Sequence, residues 1–192
     1  MRPVRLELHG FTAFREPVVV DFEGAELFAL SGPTGAGKSS IIDGMCFALY
    51  GSVPRLDART VAPVISSGKV EARIRFDFTV GQRAYTAVRV VRRTANGATT
   101  KEARLEREGA VLAGDARGMS AAVEQVLGLG FEQFTKSVVL PQGEFARFLH
   151  DTPSGRQELL VKLLELGVYD RMRAAANTRK VVAESAIELT RG

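Results

Sequence analysis

Gly32-Pro33-Thr34-Gly35-Ala36-Gly37-Lys38-Ser39-Ser40 satisfies the pattern G-x-x-x-x-G-K-[ST] at every defined position. Gly32, Gly35 and Gly37 let the backbone curl so that successive N–H groups converge on one anion. Lys38 supplies a point charge for β- and γ-phosphates, and the Ser39 hydroxyl is a hard oxygen of the kind Mg²⁺ takes. Upstream, Leu27 to Ser31 is short and apolar and predicts a buried central strand feeding the loop. Downstream, Ile41, Ile42, Met45 and Leu49 recur at helical spacing and predict a helix from Lys38 to Tyr50, stopped by Gly51 and Pro54. That helix would turn its positive end toward the same anion. Strand, glycine loop and helix in this order predict an α/β fold of the P-loop kind, binding ATP over Gly32–Ser40 with Mg²⁺ on Ser39.

Working outward, Val4, Leu6 and Leu8 alternate with Arg5, Glu7 and His9, which reads as a half-buried strand, and Val18 to Phe22 reads as a second. Val70, Ala72, Ile74, Phe76 and Phe78 alternate with polar residues, turn at Gly81-Gln82 and return from Tyr85 to Arg93. This predicts an antiparallel hairpin. Asn96-Gly97 marks a further turn, and Arg104 to Leu112 predicts another hairpin around Gly109. Met119 to Leu127 predicts a helix closed by Gly128, Phe131 to Lys136 a helical turn, and Val138 to Leu140 a brief strand before Pro141-Gln142-Gly143.

Composition sets bounds on the rest. The 192 residues are 45% hydrophobic and 25% charged, enough for a single core. The net charge of +4 permits contact with nucleic acid without requiring it. Cys46, the single cysteine, sits between Met45 and Phe47 and reads as a small core residue. The N-terminus lacks a signal-peptide core, and no window approaches the ~18 apolar residues of a membrane span. A cytoplasmic, soluble chain without membrane contact is expected.

Parts for hydrolysis are harder to find. Val18-Val19-Val20-Asp21 has the shape of a metal-holding acidic strand but precedes the phosphate loop, and His9 and His150 are the two histidines. The chain is therefore expected to bind nucleotide but not to split it efficiently alone. From Ser154-x-x-Gln157, which offers a capping box beside Pro153, a helical pattern runs to Thr190. Val168, Met172, Ala175, Arg179, Val182, Ala186 and Leu189 alternate steps of four and three, the spacing of a coiled-coil seam. Residues 1–153 are thus expected to form the globular part and 154–192 an outgoing coiled-coil helix.

Gly32 to Gly51 (GPTGAGKSSIIDGMCFALYG), Leu140 to Leu149 (LPQGEFARFL) with the following RQELLVKLL, and Leu6 to Phe22 together resemble the N-terminal head segment of the SbcC family, bacterial SMC-like DNA-repair ATPases. The resemblance runs over nearly the whole chain. It implies an ABC-type P-loop head built from both ends of a long polypeptide joined by an antiparallel coiled coil. This chain would supply the phosphate loop and the Q-loop. The C-terminal half would supply the signature motif, Walker B and the switch histidine. Gln142 matches the Q-loop glutamine, a ligand of Mg²⁺ and of the attacking water. It would stand with Lys38 in the catalytic machinery. The family's nucleotide-touching arginine after the first strand is absent, leaving Thr12 or Arg15 for that contact, and Val64 or Ile65 for packing on adenine.

The resemblance also implies partners: the C-terminal half of the same head, a second head closing on ATP, the nuclease SbcD, and double-stranded DNA, with nucleoid association. It implies DNA-end processing in double-strand break repair or hairpin cleavage. An SMC-type chromosome-organising head is the alternative. Arg73, Arg75, Arg83, Arg89, Arg92, Arg93, Lys101, Arg104 and Arg107 crowd the hairpins. They read either as a row following a phosphate backbone or as a polar face balanced by Glu71, Asp77, Glu102, Glu106 and Glu108.

Overall fold

The computed structural model describes residues 1–56, 61–139, 152–155, 157, 161 and 167–191. The chain divides into two compact units, Met1–Gln142 and Gly143–Gly192. The first is built on one six-stranded sheet: β1 (Arg2–His9), β2 (Val18–Asp21), β3 (Glu71–Val80), β4 (Arg83–Thr94), β5 (Gly97–Arg107) and β6 (Ala110–Ala113). The spatial order is β2-β1-β3-β4-β5-β6, and every pairing is antiparallel. α1 (Lys38–Tyr50) and α2 (Ala116–Leu127) pack on one face and on each other.

The period of two decides which face is which. In β1 and β3, Leu6, Leu8, Ala72, Ile74, Phe76 and Phe78 are buried, while Glu7, Arg73 and Arg75 between them face outward. Phe78 stacks on Phe76 at 5.3 Å and, across the strand pair, on Tyr85 at 5.4 Å. Such pairs add about 0.5–1.5 kcal/mol beyond their area. α1 comes so close to β1 that a Cβ at Gly44 would meet Leu8 Cδ2 at 2.7 Å. α2 begins at Asp115, whose carboxylate accepts from the Arg117 and Gly118 amides, and ends on Gly128 in the left-handed region.

The outer face is a lattice of opposite charges. Arg5 pairs with Glu7, Arg75 with Asp77, Arg73 with Glu102, and Arg104 with both Glu102 and Glu106. Val88 and Val90 sit on this face opposite Arg75 and Arg73, yet are 1% and 5% exposed. The aliphatic stems of the flanking arginines account for that burial. Arg73 and Arg75 do share a face, but the carboxylates of β3 and β5 meet their charges.

Two expected strands are corrected. Leu27 to Ser31 forms no strand: Leu27 is 93% exposed, Phe28 46% and Leu30 39%. A strand takes its hydrogen bonds from neighbours. Among the described residues no strand pairs with this segment. Phe28 rests on the Phe22 ring at 4.7 Å. Val138 and Val139 belong to a π-helical turn, Thr135–Val139, that continues α3 (Phe131–Phe134); Leu140 lies outside the described residues. Thr135 and Ser137 donate to the Phe131 and Gln133 carbonyls at 2.9 and 2.6 Å, which favours the helical path.

In the second unit α4 spans Gly167–Arg191, and Met172 and Val182 of the seam are 62% and 63% exposed. The Gly155 amide donates to the Thr152 hydroxyl at 3.2 Å, so the cap beside Pro153 is Thr152 and not Ser154.

Candidate nucleotide site

The loop from Gly32 to Gly37 leads straight into α1. Gly37 is the N-cap residue, at φ 92°, and no side chain caps the helix. The first-turn amides of α1 therefore have no side-chain acceptor. A Cβ at Gly37 would lie 2.9 Å from the Phe14 ring and 3.2 Å from Ala13. The close packing of residues 13–14 on the phosphate loop thus needs glycine there. Together these segments enclose a cavity of about 500 Å³ lined by Thr34, Gly35, Lys38, Ser39, Ser40 and Arg55, with Ala13 and Gly37 closing one wall.

Lys38 folds back over the loop, its Nζ donating to the Gly32 and Pro33 carbonyls at 2.7 and 2.8 Å. Its charge is held at the loop by neutral acceptors that an anion can displace. Ser39 is exposed at the mouth and Ser40 is buried. Asp43, one turn further along α1, is 4% exposed and ion-paired with Arg55. Burial raises the Asp43 carboxyl above its ordinary value, and Arg55 works against that rise. Arg55, its own side chain 57% exposed, is thereby held at the cavity wall. The sequence reading missed both residues. Asp43 was hidden in a helical repeat, and Arg55 in an irregular stretch.

The opposite end of α1 is fixed by Arg89, one of the arginines expected on the hairpin surface. It is instead 2% exposed, on the core face of β4. Its guanidinium donates to the Ala48 and Leu49 carbonyls at 3.0 and 3.1 Å and to the Ser120 hydroxyl at 3.2 Å. Burial lowers its pKa to about 10. A cation at the carboxyl end of the helix satisfies carbonyls that have no partner within the helix. One rigid element thus carries a capped C-terminus and an open N-terminus, and the open end faces the cavity.

Of the expected contacts, Gly35, Gly37, Lys38, Ser39, Ser40 and Thr34 come together at the cavity. Gly32 and Pro33 hold the lysine, and Ala36 donates its amide to the Pro33 carbonyl at 3.2 Å. Thr12, Arg15 and Val64 do not line it. Thr12, at φ 47°, donates its amide to the Val64 carbonyl at 2.8 Å, its Oγ1 buried without a partner, and Val64 is 1% exposed in the core. Asp21 ends β2 by accepting the Glu23 amide, a turn role. Gln142 and the stretch Leu140 to Leu149 lie outside the described residues.

The groups present suit a magnesium nucleotide: open helix amides, an ammonium, a guanidinium and a hydroxyl around a glycine cradle. Among the described residues no cluster of three or more His, Cys, Asp or Glu side chains could hold a metal by itself. Mg²⁺ here would lean on Ser39 and on phosphate oxygens.

Phosphate loop, uncapped helix and α/β packing define a P-loop nucleotide-binding protein. The chain belongs to the AAA domain family, whose model matches residues 5–180. Membership in this family fits nucleotide binding at the phosphate loop. The chain is 41% identical over 179 residues to the SbcC component of the nuclease SbcCD from Deinococcus radiodurans, covering 92% of this chain and 20% of that protein. It is 38% identical to a probable DNA double-strand break repair Rad50 ATPase of Aquifex aeolicus, covering 92% and 18%. With the SbcC component of the nuclease SbcCD from Bacillus subtilis the identity is 37%, covering 94% and 17%. The chain thus spans about a fifth of the length of the curated relatives it matches. The SMC head domain from Thermotoga maritima matches at TM-score 0.40 and 22% identity, covering 59% of this chain and 39% of that one. The SbcC resemblance read from the sequence holds. No helix of the described residues is long and apolar enough to cross a membrane.

Proposed function

We propose that this chain is the nucleotide-gripping half of an SbcC-type ATPase head and that the groups that split the nucleotide lie on the polypeptide's other half. One observation carries this reading. The cavity brings together Lys38, Arg55, Ser39 and the open end of α1, and among the described residues no carboxylate lines it. It is built to hold phosphates and, among the described residues, lacks a base or a metal carboxylate of its own. The bound nucleotide supplies a phosphoanhydride and Mg²⁺ the charge neutralisation. Lys38 moves from the Gly32 and Pro33 carbonyls to the phosphates, Ser39 offers its oxygen to the metal, and Arg55 stands by as a second cation. Gln142 orients the attacking water. The apolar run at Leu27, Phe28 and Leu30, exposed just before the loop, fits a segment completed by the C-terminal half.

In this reading ATP closes two such heads, and closure governs access of double-stranded DNA to a partner nuclease, SbcD. Support comes from the family membership, from relatives named as the SbcC component of the nuclease SbcCD and as a Rad50 ATPase, and from the exposed seam of α4.

The test is a titration of labelled ATP against the 192-residue chain with and without the C-terminal half, following association state and turnover. Binding by the chain alone, with multiple turnover only after the second half is added, is the expected result. Brisk turnover by the chain alone would overturn the proposal. Lys38→Ala should abolish binding, since the contact of Nζ with phosphate is lost. Gln142→Ala should leave binding intact and slow hydrolysis in the reconstituted head.

A further inference from the structure

The core face of the sheet changes character at its far end. Arg107 lies directly opposite Tyr85, and Arg83 is two residues before Tyr85, so both arginines point to the face that elsewhere carries Phe78 and Leu105. Arg83 is exposed and Arg107 half-buried. They line a separate cavity of about 750 Å³ between the β3–β4 turn, β6 and α2. Its lining is mixed: Val80, Leu112, Ala122 and Val126 form an apolar side, and Gln82 and Gln125 join the two arginines on the polar one.

Two contrasts single this groove out. Arg5, Arg73, Arg75 and Arg104 on the outer face each have a carboxylate within 4 Å, whereas among the described residues Arg83 and Arg107 have no ion-pair partner and no carboxylate lines the groove. Among the described residues β6 is also the end strand of the sheet, with an unpaired edge, and its Val111 and Leu112 are 58% and 40% exposed. A free strand edge, an apolar wall and unmatched guanidinium groups together suit an extended peptide with alternating character.

We propose that the groove between α2 and the β3–β4 turn docks an extended acidic segment of a partner protein, which enters past the exposed end strand β6 and lies along the groove. Its carboxylates lie against Arg83 and Arg107 and an aliphatic or aromatic side chain enters between Leu112 and Val126. A nucleic-acid backbone fits less well, because it offers charge to the rim but nothing apolar to the walls. The inference stands apart from the nucleotide site and does not depend on it.

The test is fluorescence anisotropy on the 192-residue chain with a short labelled peptide alternating Glu with Leu and Phe. The same peptide with Lys in place of Glu, and a labelled duplex oligonucleotide, serve as comparisons. The Glu peptide should bind and the Lys peptide should not. Arg83→Glu with Arg107→Glu should weaken the Glu peptide about tenfold or more, through charge reversal at the rim. Leu112→Asp should weaken it too, while Lys38→Ala should leave it unchanged. No binding of the Glu peptide, equal binding of both peptides, displacement by the duplex, or affinity untouched by the double reversal would each overturn the proposal. Thermal melts of the variants confirm that any loss is local.

Discussion

Gly10→Ala tests how the sheet shapes the nucleotide site. Gly10 follows β1 at φ 63°, and an added Cβ would stand 2.3 Å from the Glu71 carbonyl oxygen and 3.6 Å from Ala72 Cα. Both are backbone atoms of the β3 side, so no side chain can swing away. Its carbonyl also accepts the Ser66 amide at 2.8 Å. The left-handed conformation costs an alanine about 1 kcal/mol, and relieving the clash adds about 1–3 kcal/mol, as for overpacking in a core. Gly24→Ala separates the two effects: Gly24 has φ 74° but nothing within 4 Å of an added Cβ. For a chain of this size each kcal/mol shifts Tm by about 2–4 °C, so Gly24→Ala should melt about 3 °C low and Gly10→Ala roughly 6–12 °C low. Residues 11–15 carry Ala13 to the cavity wall and Phe14 to the phosphate loop. ATP affinity should therefore fall in Gly10→Ala and hold in Gly24→Ala. Circular-dichroism melts and a nucleotide titration give both readouts. If the variants melt within a degree of each other, the steric argument fails.

Asp43→Asn should leave the fold at least as stable at neutral pH. Burial raises the Asp43 carboxyl above 3.8, so the ionised form is disfavoured in the folded chain. The stability tied to its protonated form is present below the unfolded value and lost as pH rises through the folded one. The advantage of the Asn variant should therefore shrink on acidification, which melts across pH 3–7 would show; an advantage that grows at low pH would refute it. In the same variant Arg55 loses its anchor, and ATP binding should weaken. The buried Cys46, its thiol pushed up to about 12 chiefly by desolvation, should resist thiol reagents at neutral pH in the folded chain and react on unfolding. Prompt labelling of the native protein would contradict its burial.

Much of the fold was legible because its signals are local. The period of two in β1 and β3, the helix from Lys38 to Tyr50 and the Gly128 stop follow from what neighbouring residues do to one backbone. The phosphate loop was legible because its chemistry fits within nine residues, Gly32 to Ser40, and needs no distant partner. The segment Leu27 to Ser31 misled because apolar composition promises burial but cannot supply the neighbouring strand that makes a segment a strand.

The tertiary structure alone decided what the charges do. The sequence left the arginines as either a row for a phosphate backbone or a polar face balanced by carboxylates. Pairing register turned Arg73, Arg75 and Arg104 into members of a balanced lattice, and strand parity sent Arg89 beneath the sheet to cap α1. The same parity left Arg83 and Arg107 unmatched beside a groove. Arg55 became a wall of the nucleotide cavity only because Asp43, twelve residues earlier, is buried where it can hold it. Charge is written in the sequence, but its partner and its dielectric surroundings are set by residues far away along the chain, and only folding brings them within reach.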